Sequence, residues 1–316
     1  MKQDPFHIPV LLDTVVELLI TKPDGIYVDC TLGGGGHSEA ILRNISEQGF
    51  LVGLDADPDA IEFSRRRLSR YRNKLIQQVF YNQLDVVLAR EDLLPVHGFL
   101  FDLGISSYQI EEEKKGFAYQ INGPLDMRFN PNQELTAEVV VNTYSEAELL
   151  RVLREYGEER HSRRIVEAII KNRRQSPIRT TKELSEIVRG VIGPQHLSKT
   201  LARVFQAIRI EVNDELNRLK EALEKAFRCL DKHGRIVTVA YHSLEDRIVK
   251  EFFQYKAKDC ICPVNIPQCV CNKQKEMEII TRKPIRPAPE EVAANSRARS
   301  ARLRAAEKTV LYRRFF

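Results

Sequence analysis

Four consecutive glycines, residues 33–36, stand between an apolar run and a helical pattern. The run at residues 25–30 has the composition of a buried strand, and from about Ser38 the apolar residues recur at helical spacing. Glycine lets a backbone approach a ligand closely, and a helix N-terminus offers N–H groups that have no partner within the helix. A strand, a glycine loop and a helix in this order predict a ligand site.

Two further apolar runs each end at an aspartate. Residues 50–54 precede Asp55, residues 96–101 precede Asp102, and Pro58 begins another helical pattern. Strands that alternate with helices indicate βαβ units and a parallel sheet. Because ligands of such sheets bind at the carboxyl ends of the strands, both aspartates are candidate site residues.

The pattern changes between residues 111 and 212, where strand signals are almost absent. Ser145 with Glu148, and Thr180 with Glu183, have the spacing of capping boxes. Apolar residues at spacings of three and four follow each of them. This part of the chain therefore reads as a helical domain.

Strand character returns after that domain. Residues 232–234 predict a turn, and residues 236–241 form another apolar strand pattern. We expect one α/β domain made of residues 1–110 and 213–316, which an all-helical domain of residues 111–212 interrupts.

Composition restricts the class of protein and its location. Hydrophobic residues make up 43% and charged residues 29%, which is ordinary for a globular protein and argues against bulk disorder. The net charge of +5 permits a polyanionic partner. No stretch approaches the roughly 18 apolar residues of a membrane span, and no apolar segment of a secretory signal follows the N-terminus. We expect a cytoplasmic protein whose 6 cysteines are thiols, core residues or metal ligands.

The glycine loop and the strand-end aspartates favour a nucleoside cofactor. A phosphate-binding Walker loop would need Lys-Ser or Lys-Thr after the glycines, and a dinucleotide fingerprint would need Gly or Ala in place of Ser38. S-adenosylmethionine fits better. Its amino-acid end can bind the loop N–H groups, its ribose can bind Asp55, and its adenine can lie on Tyr81 or Phe80.

Several segments resemble the motifs of one family. Residues 29–38 (DCTLGGGGHS) and 102–107 (DLGISS) are similar to motifs of the small-subunit ribosomal RNA cytosine-N4 methyltransferases, the RsmH/MraW family. Five more segments resemble later motifs of that family in the same order: residues 123–128, 156–160, 205–209, 242–247 and 297–299. A single motif can arise by chance, but the shared order from His7 to Lys308 is specific.

The resemblance implies an activity and an architecture. The expected reaction is methylation, from S-adenosylmethionine, of the exocyclic amine of a cytidine in the decoding region of 16S rRNA. The expected fold is a Rossmann-like class I methyltransferase sheet with an inserted all-helical domain. The expected partner is 16S rRNA in the small ribosomal subunit, without a membrane, and a homodimer is left open. A methyltransferase of another nucleic-acid amine, or a non-catalytic RNA-binding assembly factor, are the alternatives.

The resemblance also implies the cofactor-binding residues. By position, the family's cofactor contacts correspond to Gly35, Gly36, His37, Asp55, Tyr81, Asp102 and Gln109. The family usually has Phe at the position of Tyr81, and Phe80 is a rival for that register.

Asp102 and His242 are the candidate catalytic residues. The cytosine amine is a weak nucleophile because its lone pair is delocalised into the ring, and a hydrogen-bond acceptor at the amine would localise that pair. Asp102, or a carbonyl of residues 103–105, is the first candidate for this acceptor. His242 either lies beside the target base or belongs to a helix start that Ser243 and Asp246 cap. The reaction requires no metal.

Basic residues occur in three runs, at residues 65–74, 160–174 and 297–314. We expect at least one of these runs to contact phosphates. Arg160, Arg164 and Lys171 are expected on one helical stripe.

Four cysteines occur in two close pairs, Cys260-x-Cys262 and Cys269-x-Cys271. Zinc sites usually have two to four residues between paired cysteines, so a spacing of one residue is atypical. A metal site, free thiols and redox-sensitive thiols stay open as interpretations.

Overall fold

The computed structural model describes residues 9–263 and 268–313. This part of the chain divides into two compact units. Residues 105–215 form the helical unit, and the described residues of 9–104 and 216–313 form the α/β unit. Among the helices described, none has the apolar stretch that a bilayer crossing demands.

The secondary structure of both units is numbered in chain order. The strands are β1 (Ile26–Asp29), β2 (Phe50–Asp55), β3 (Lys74–Gln78), β4 (Val96–Asp102), β5 (Leu230–Ala240), β6 (Met277–Ile279) and β7 (Arg302–Lys308). The helices are α1 (Leu12–Leu19), α2 (Gly36–Asn44), α3 (Pro58–Arg67), α4 (Leu84–Arg90), α5 (Ser107–Glu111), α6 (Ala137–Thr143), α7 (Glu146–Glu155), α8 (Ser162–Arg173), α9 (Thr181–Arg189), α10 (Pro194–Asn213), α11 (Glu215–Cys229), α12 (Ser243–Lys256) and α13 (Pro289–Ala294).

The seven strands form one sheet in the order β3-β2-β1-β4-β5-β7-β6. The first five strands of that order are parallel, whereas β7 is antiparallel to both β5 and β6. The strand order reverses between β1 and β4, and crevices at such a reversal bind nucleotides in doubly wound sheets. The predicted α/β class with a Rossmann-like sheet is confirmed.

Apolar side chains pack on both faces of the sheet. Val28 of β1 and Phe99 of β4 belong to a core that also contains residues of α4, α11 and α12. Tyr27 and Leu100, one position along in the same strands, belong to a second core with residues of α1, α2 and α3. A strand that is covered on both faces reads as a continuous apolar run, which is why β1, β2 and β4 were recognisable in the sequence.

The predicted turn at residues 232–234 lies inside β5. Val96 of β4 pairs with Leu230, but Gly98 pairs with Arg235, so β5 carries extra residues opposite a shorter part of β4. His233 has a φ of 66° within this irregularity. Residues 231–234 have no partner in the pairing of β5 with β4 or β7, so the predicted turn is an excursion inside this strand.

The helical unit has a core of its own, with apolar residues of α6 to α10. Both predicted capping boxes are present. Ser145 Oγ accepts from the Glu148 N–H at 3.3 Å, while the Ser145 N–H donates to Glu148 Oε2 at 2.7 Å. Thr180 and Glu183 repeat the arrangement at the start of α9. No strand is found among residues 105–215, apart from an isolated bridge between Pro124 and Thr180.

Candidate active site

The glycine loop joins β1 to α2, and its carbonyls are held by α3. Ser64 Oγ donates to the Gly33 carbonyl at 2.7 Å, and Arg67 donates to the Gly34 carbonyl at 3.2 Å. Gly33 and Gly35 have φ angles of 48° and 73°, which glycine adopts without steric cost. Within the described residues no side chain caps the N-terminus of α2, so its first N–H groups are suited to a ligand.

Two of the glycines predicted to contact the cofactor also leave no room for a side chain. A Cβ on Gly36 would lie 2.4 Å from Cγ of Pro9, and a Cβ on Gly35 would lie 3.0 Å from Oγ of Ser64. Glycine is therefore needed at both positions first of all so that the loop can pack closely against α3 and against Pro9, which precedes α1.

Asp55 is the last residue of β2, and it braces the glycine loop. Its Oδ2 accepts from the Gly33 N–H at 2.8 Å, and its Oδ1 accepts from the Asp57 N–H at 2.9 Å. Burial raises the pKa of Asp55 to about 7, although both N–H bonds lower it. Each carboxylate oxygen keeps a second lone pair, so Asp55 can also accept from ribose hydroxyls.

Asp102 is the last residue of β4, and a tyrosine hydroxyl fixes one of its carboxylate oxygens. Tyr241 donates to Oδ1 at 2.9 Å, and His37 Nδ1 lies 3.4 Å from Oδ2. The Asp102 N–H donates to Thr31 Oγ1 at 2.7 Å. His37 Nε2 lies 3.1 Å from the Val10 carbonyl, which only accepts, so Nε2 is the ring nitrogen that donates there.

Tyr241 was missed in the sequence. Burial and then the charge of Asp102 raise the pKa of Tyr241 well above its ordinary value, so the hydroxyl is a permanent donor. Gly104 lies against this ring, because a Cβ on Gly104 would be 2.6 Å from the Tyr241 ring carbon Cε2. The signal available in the sequence was a tyrosine directly after an apolar strand and next to His242.

Asp29, at the end of β1, is a third carboxyl group at this edge of the sheet. Ser38 Oγ donates to its Oδ2 at 2.7 Å, and the Thr31 N–H donates to its Oδ1 at 3.2 Å. Burial raises the pKa of Asp29. Ser38, which argues against a dinucleotide fingerprint, therefore ties the first turn of α2 to β1.

Tyr81 and Phe80 follow β3, the strand next to β2. The Tyr81 ring packs edge-on against Phe101, with ring centroids 5.9 Å apart. The Phe80 ring is covered by the Arg218 guanidinium at 3.8 Å from its centroid. Because a face of Phe80 is already covered, Tyr81 stays our candidate for the adenine contact.

His242 is the N-cap residue of α12, which corrects the expected cap by Ser243 and Asp246. Its Nδ1 accepts from the Glu245 N–H at 3.4 Å, and the Tyr241 N–H donates to Glu245 Oε2 at 2.9 Å. His242 Nε2 lies 3.1 Å from Glu245 Oε1, but without the alignment of a hydrogen bond. A contact between His242 and the target base stays a prediction.

Asp246 has a different role from the expected one. Arg304 of β7 donates to its Oδ1 at 2.6 Å, and Arg302 donates to its Oδ2 at 3.1 Å. These arginines hold the pKa of Asp246 below its usual value despite partial burial. Two residues of the third basic run, Arg302 and Arg304, are therefore paired with a carboxylate inside the α/β unit.

Gln109 belongs to the helical unit. Its N–H donates to Ser106 Oγ at 3.1 Å, and its Oε1 accepts from the Ser106 N–H at 3.0 Å. The side chain is buried and completes the capping box of α5. Its assignment as a cofactor contact stays a prediction.

The three basic runs differ in their ion pairs. In the first, Arg67 and Arg70 bind Glu39. The second run places three exposed cations on α8: Arg163, Arg164 and Lys171. None of them forms an ion pair with a described residue. Unpaired exposed cations are the ones available to phosphates.

The expected stripe on this surface needs one correction. Helix α8 begins at Ser162, so Arg160 lies before it. Arg164 and Lys171 are seven residues apart within the helix and share one face.

Comparison with known proteins gives the same family as the motifs. Residues 4–309 match the family model described as the MraW methylase family. A Caldicellulosiruptor saccharolyticus protein named "Ribosomal RNA small subunit methyltransferase H" is 51% identical over 96% of this chain and 99% of its own length. Proteins of the same name from Clostridium botulinum and Dehalococcoides mccartyi are each 48% identical over 96% of this chain, covering 98% and 87% of their own lengths. The resemblance found in the sequence is confirmed: the chain belongs to the MraW methylase family.

Proposed function

We propose that this protein uses S-adenosylmethionine to methylate N4 of a cytidine in the decoding region of 16S rRNA in the small ribosomal subunit. The observation that carries the proposal is the carboxylate of Asp102, which Tyr241 fixes at the end of β4, beside the glycine loop and next to His37. Membership of the methylase family and the rRNA methyltransferase names of its relatives support the same substrate class.

The residues present fit this cofactor. The uncapped N-terminus of α2 suits a carboxylate, Asp55 suits a ribose diol, and Tyr81 suits an adenine. Among the described residues, a Cβ on Gly33 would meet only the Thr31 carbonyl, at 3.8 Å, so these residues leave room for a ligand on this side of the loop. The carboxylate of Asp102, at the same edge of the sheet, suits the positive charge of the sulfonium and the amino group.

S-adenosylmethionine, when bound, supplies an electrophilic methyl group on a sulfonium. Asp102 accepts a hydrogen bond from the cytosine amine, which localises the nitrogen lone pair toward that methyl group. Tyr241 fixes the direction in which the Asp102 oxygens point. Holding the reacting atoms in line is worth about 7–11 kcal/mol in well-oriented reactions. Asp102 can also take the proton that the amine loses, a contribution of about 10²–10⁴-fold where it occurs in the transition state.

The helical unit supports recognition of RNA. Arg163, Arg164 and Lys171 present exposed positive charge without acidic partners among the described residues. A target base inside folded RNA must leave its stack, at a cost of a few kcal/mol, and phosphate contacts offset that cost. Small ribosomal subunits are cytoplasmic, so we place the reaction there.

The test is transfer of a labelled methyl group to small subunits from cells that lack the modification, followed by mass spectrometry of the nucleosides. We expect label in N4-methylcytidine only. Asp102→Asn keeps the shape of the side chain and should lower the rate by about 10²-fold or more. Label in another nucleoside would favour a different nucleic-acid amine. Failure of the purified protein to bind the cofactor would favour the alternative function, a non-catalytic RNA-binding assembly factor.

A further inference from the structure

Four cysteines that the proposed reaction does not use come together between α12 and β6. Sγ of Cys269 lies 3.5 Å from Sγ of Cys260, 3.9 Å from Sγ of Cys262 and 3.5 Å from Sγ of Cys271. Sγ of Cys260 and Sγ of Cys271 are 3.9 Å apart. All four sulfur atoms lie within 4.8 Å of one another, and none of them is in a disulfide.

This spacing is that of sulfur atoms around one tetrahedral metal ion. Zinc–thiolate bonds are about 2.3 Å long, so the edges of a regular ZnS₄ tetrahedron are about 3.8 Å. We propose that Cys260, Cys262, Cys269 and Cys271 bind one Zn²⁺ through their four thiolates. Four protein ligands leave no open position, so the ion is structural and takes no part in methyl transfer.

The backbone explains how cysteines with one residue between them can share an ion. The Ile261 N–H, between the first two cysteines, donates to Sγ of Cys271 at 3.4 Å. The Val270 N–H, between the second two, donates to Sγ of Cys262 at 3.4 Å. Each short pair therefore directs its middle N–H at a sulfur of the other pair. Such bonds orient and stabilise metal-bound thiolates.

The four sulfur ligands favour a particular class of ion. Thiolate is a soft ligand, so the cluster favours a soft or borderline divalent cation over magnesium or calcium. Binding of the metal displaces the thiol protons, which allows all four sulfurs to be thiolates.

The local fold gives the ion a structural role. The Glu276 N–H donates to the Lys256 carbonyl at 2.8 Å, which closes the excursion between α12 and β6. Within it, Ile261 and Val270 are 46% and 69% exposed, so these apolar residues contribute little to a core. Residues that bury so little apolar surface gain little order from packing, and zinc is a common source of order in small folds.

The test is the metal content of the full chain, purified under reducing conditions from cells grown with zinc. We expect about one zinc per chain by elemental analysis, and its release when an organomercurial titrates four thiols. Cys269→Ser and Cys271→Ser should each lose most of the metal. Cys229→Ala, which removes a cysteine outside the cluster, should retain it. Cobalt exchanged into the wild type should show sulfur-to-metal charge transfer and the intense visible bands of a tetrahedral site.

Any of the following results would overturn the proposal: a wild-type chain without metal whose four thiols react freely, zinc retained in both serine variants, or iron in place of zinc. Disulfides found by mass in freshly isolated, metal-free protein would also overturn it. The thiol titration uses only the wild type, so the outcome does not depend on whether the serine variants fold.

Discussion

The hydroxyl of Tyr241 donates a hydrogen bond of 2.9 Å to Oδ1 of Asp102. Burial raises the pKa of Tyr241 well above its ordinary value, which keeps this hydroxyl protonated and able to donate. The bond joins the end of β5 to the end of β4, two neighbouring strands. Tyr241 thus acts as a positioning residue for the carboxylate that we propose to meet the substrate amine.

We expect Tyr241→Phe to lower kcat about tenfold while leaving the Kd of the cofactor within about threefold. A hydrogen bond to a charged group is worth about 1.5–3 kcal/mol, and its loss lets the Asp102 carboxylate rotate. Single-turnover kinetics and calorimetry measure the two quantities. Tyr255→Phe, at a half-exposed tyrosine of α12, is the matched control. An unchanged kcat in Tyr241→Phe would remove the positioning role.

Cofactor binding should release protons near neutral pH. The pKa of Asp55 is raised to about 7 by burial, and hydroxyl donors favour the ionised carboxylate, so a ligand that donates to it lowers that pKa. We expect proton release around pH 6–7, with affinity falling as the pH falls below 7. Calorimetry in two buffers of different ionisation enthalpy measures it. Asp55→Asn should abolish the release, and proton-neutral binding by the wild type would contradict the assignment.

The same shift affects folding with a defined sign. A raised carboxyl pKa means that the folded state binds more protons than the unfolded state between about pH 4 and pH 7. The contribution of Asp55 to the free energy of unfolding therefore falls as the pH rises through that window. Denaturant titrations at several pH values measure the free energy of unfolding. In this pH window it should fall more steeply with rising pH in the wild type than in Asp55→Asn. The same pH dependence in both proteins would contradict the prediction.

Two substitutions separate the capping role of His242 from a catalytic one. His242→Ala removes the N-cap of α12 and should cost about 1 kcal/mol of unfolding free energy. His242→Asn keeps a capping side chain and should recover most of that stability. If His242 also contacts the target base, kcat stays low in both variants. Recovery of kcat in His242→Asn would show that the histidine acts only through the helix.

The salt dependence of RNA binding tests the α8 surface. Replacing both Arg164 and Lys171 by alanine should reduce the slope of log K against log salt by about 1.5, since each phosphate contact contributes about 0.7–0.9. Arg43→Ala with Arg70→Ala removes two equally exposed charges that already pair with Glu39, and should leave the slope nearly unchanged. If the slope of log K against log salt is the same in both double variants, the RNA interface lies on another surface.

The parts of the sheet that the sequence predicts are those buried on both faces. β1, β2 and β4 read as apolar runs that end in aspartate. β3 was missed because this edge strand buries only Ile76, and its other residues apart from Leu75 are polar or charged. β7 was missed because arginines, Glu307 and Lys308 interrupt its buried positions, and some of those charges are paired inside the fold.

The site was predictable where a residue ends an apolar strand, as Asp55 and Asp102 do. His37 followed only from resemblance to a family, because a histidine after glycines has no pattern of its own. Tyr241 depends on the register between β4 and β5, which a single sequence does not specify. The cysteine pairs depend on closure of a loop that has no periodicity, so their convergence is visible only in three dimensions.

β7 comes late in the chain, yet it lies beside β5 in the interior of the sheet. Folding of the sheet therefore depends on residues near the end of the described chain. Residues 302–307 pair with residues 235–240, and two arginines of β7 bind Asp246 at the start of α12. A product truncated before β7 would expose the edge of β5 and leave the Asp246 carboxylate without its two arginines. Bared edges recruit strands from other chains, so incomplete copies of this protein should aggregate or be degraded rather than persist as partly working enzymes.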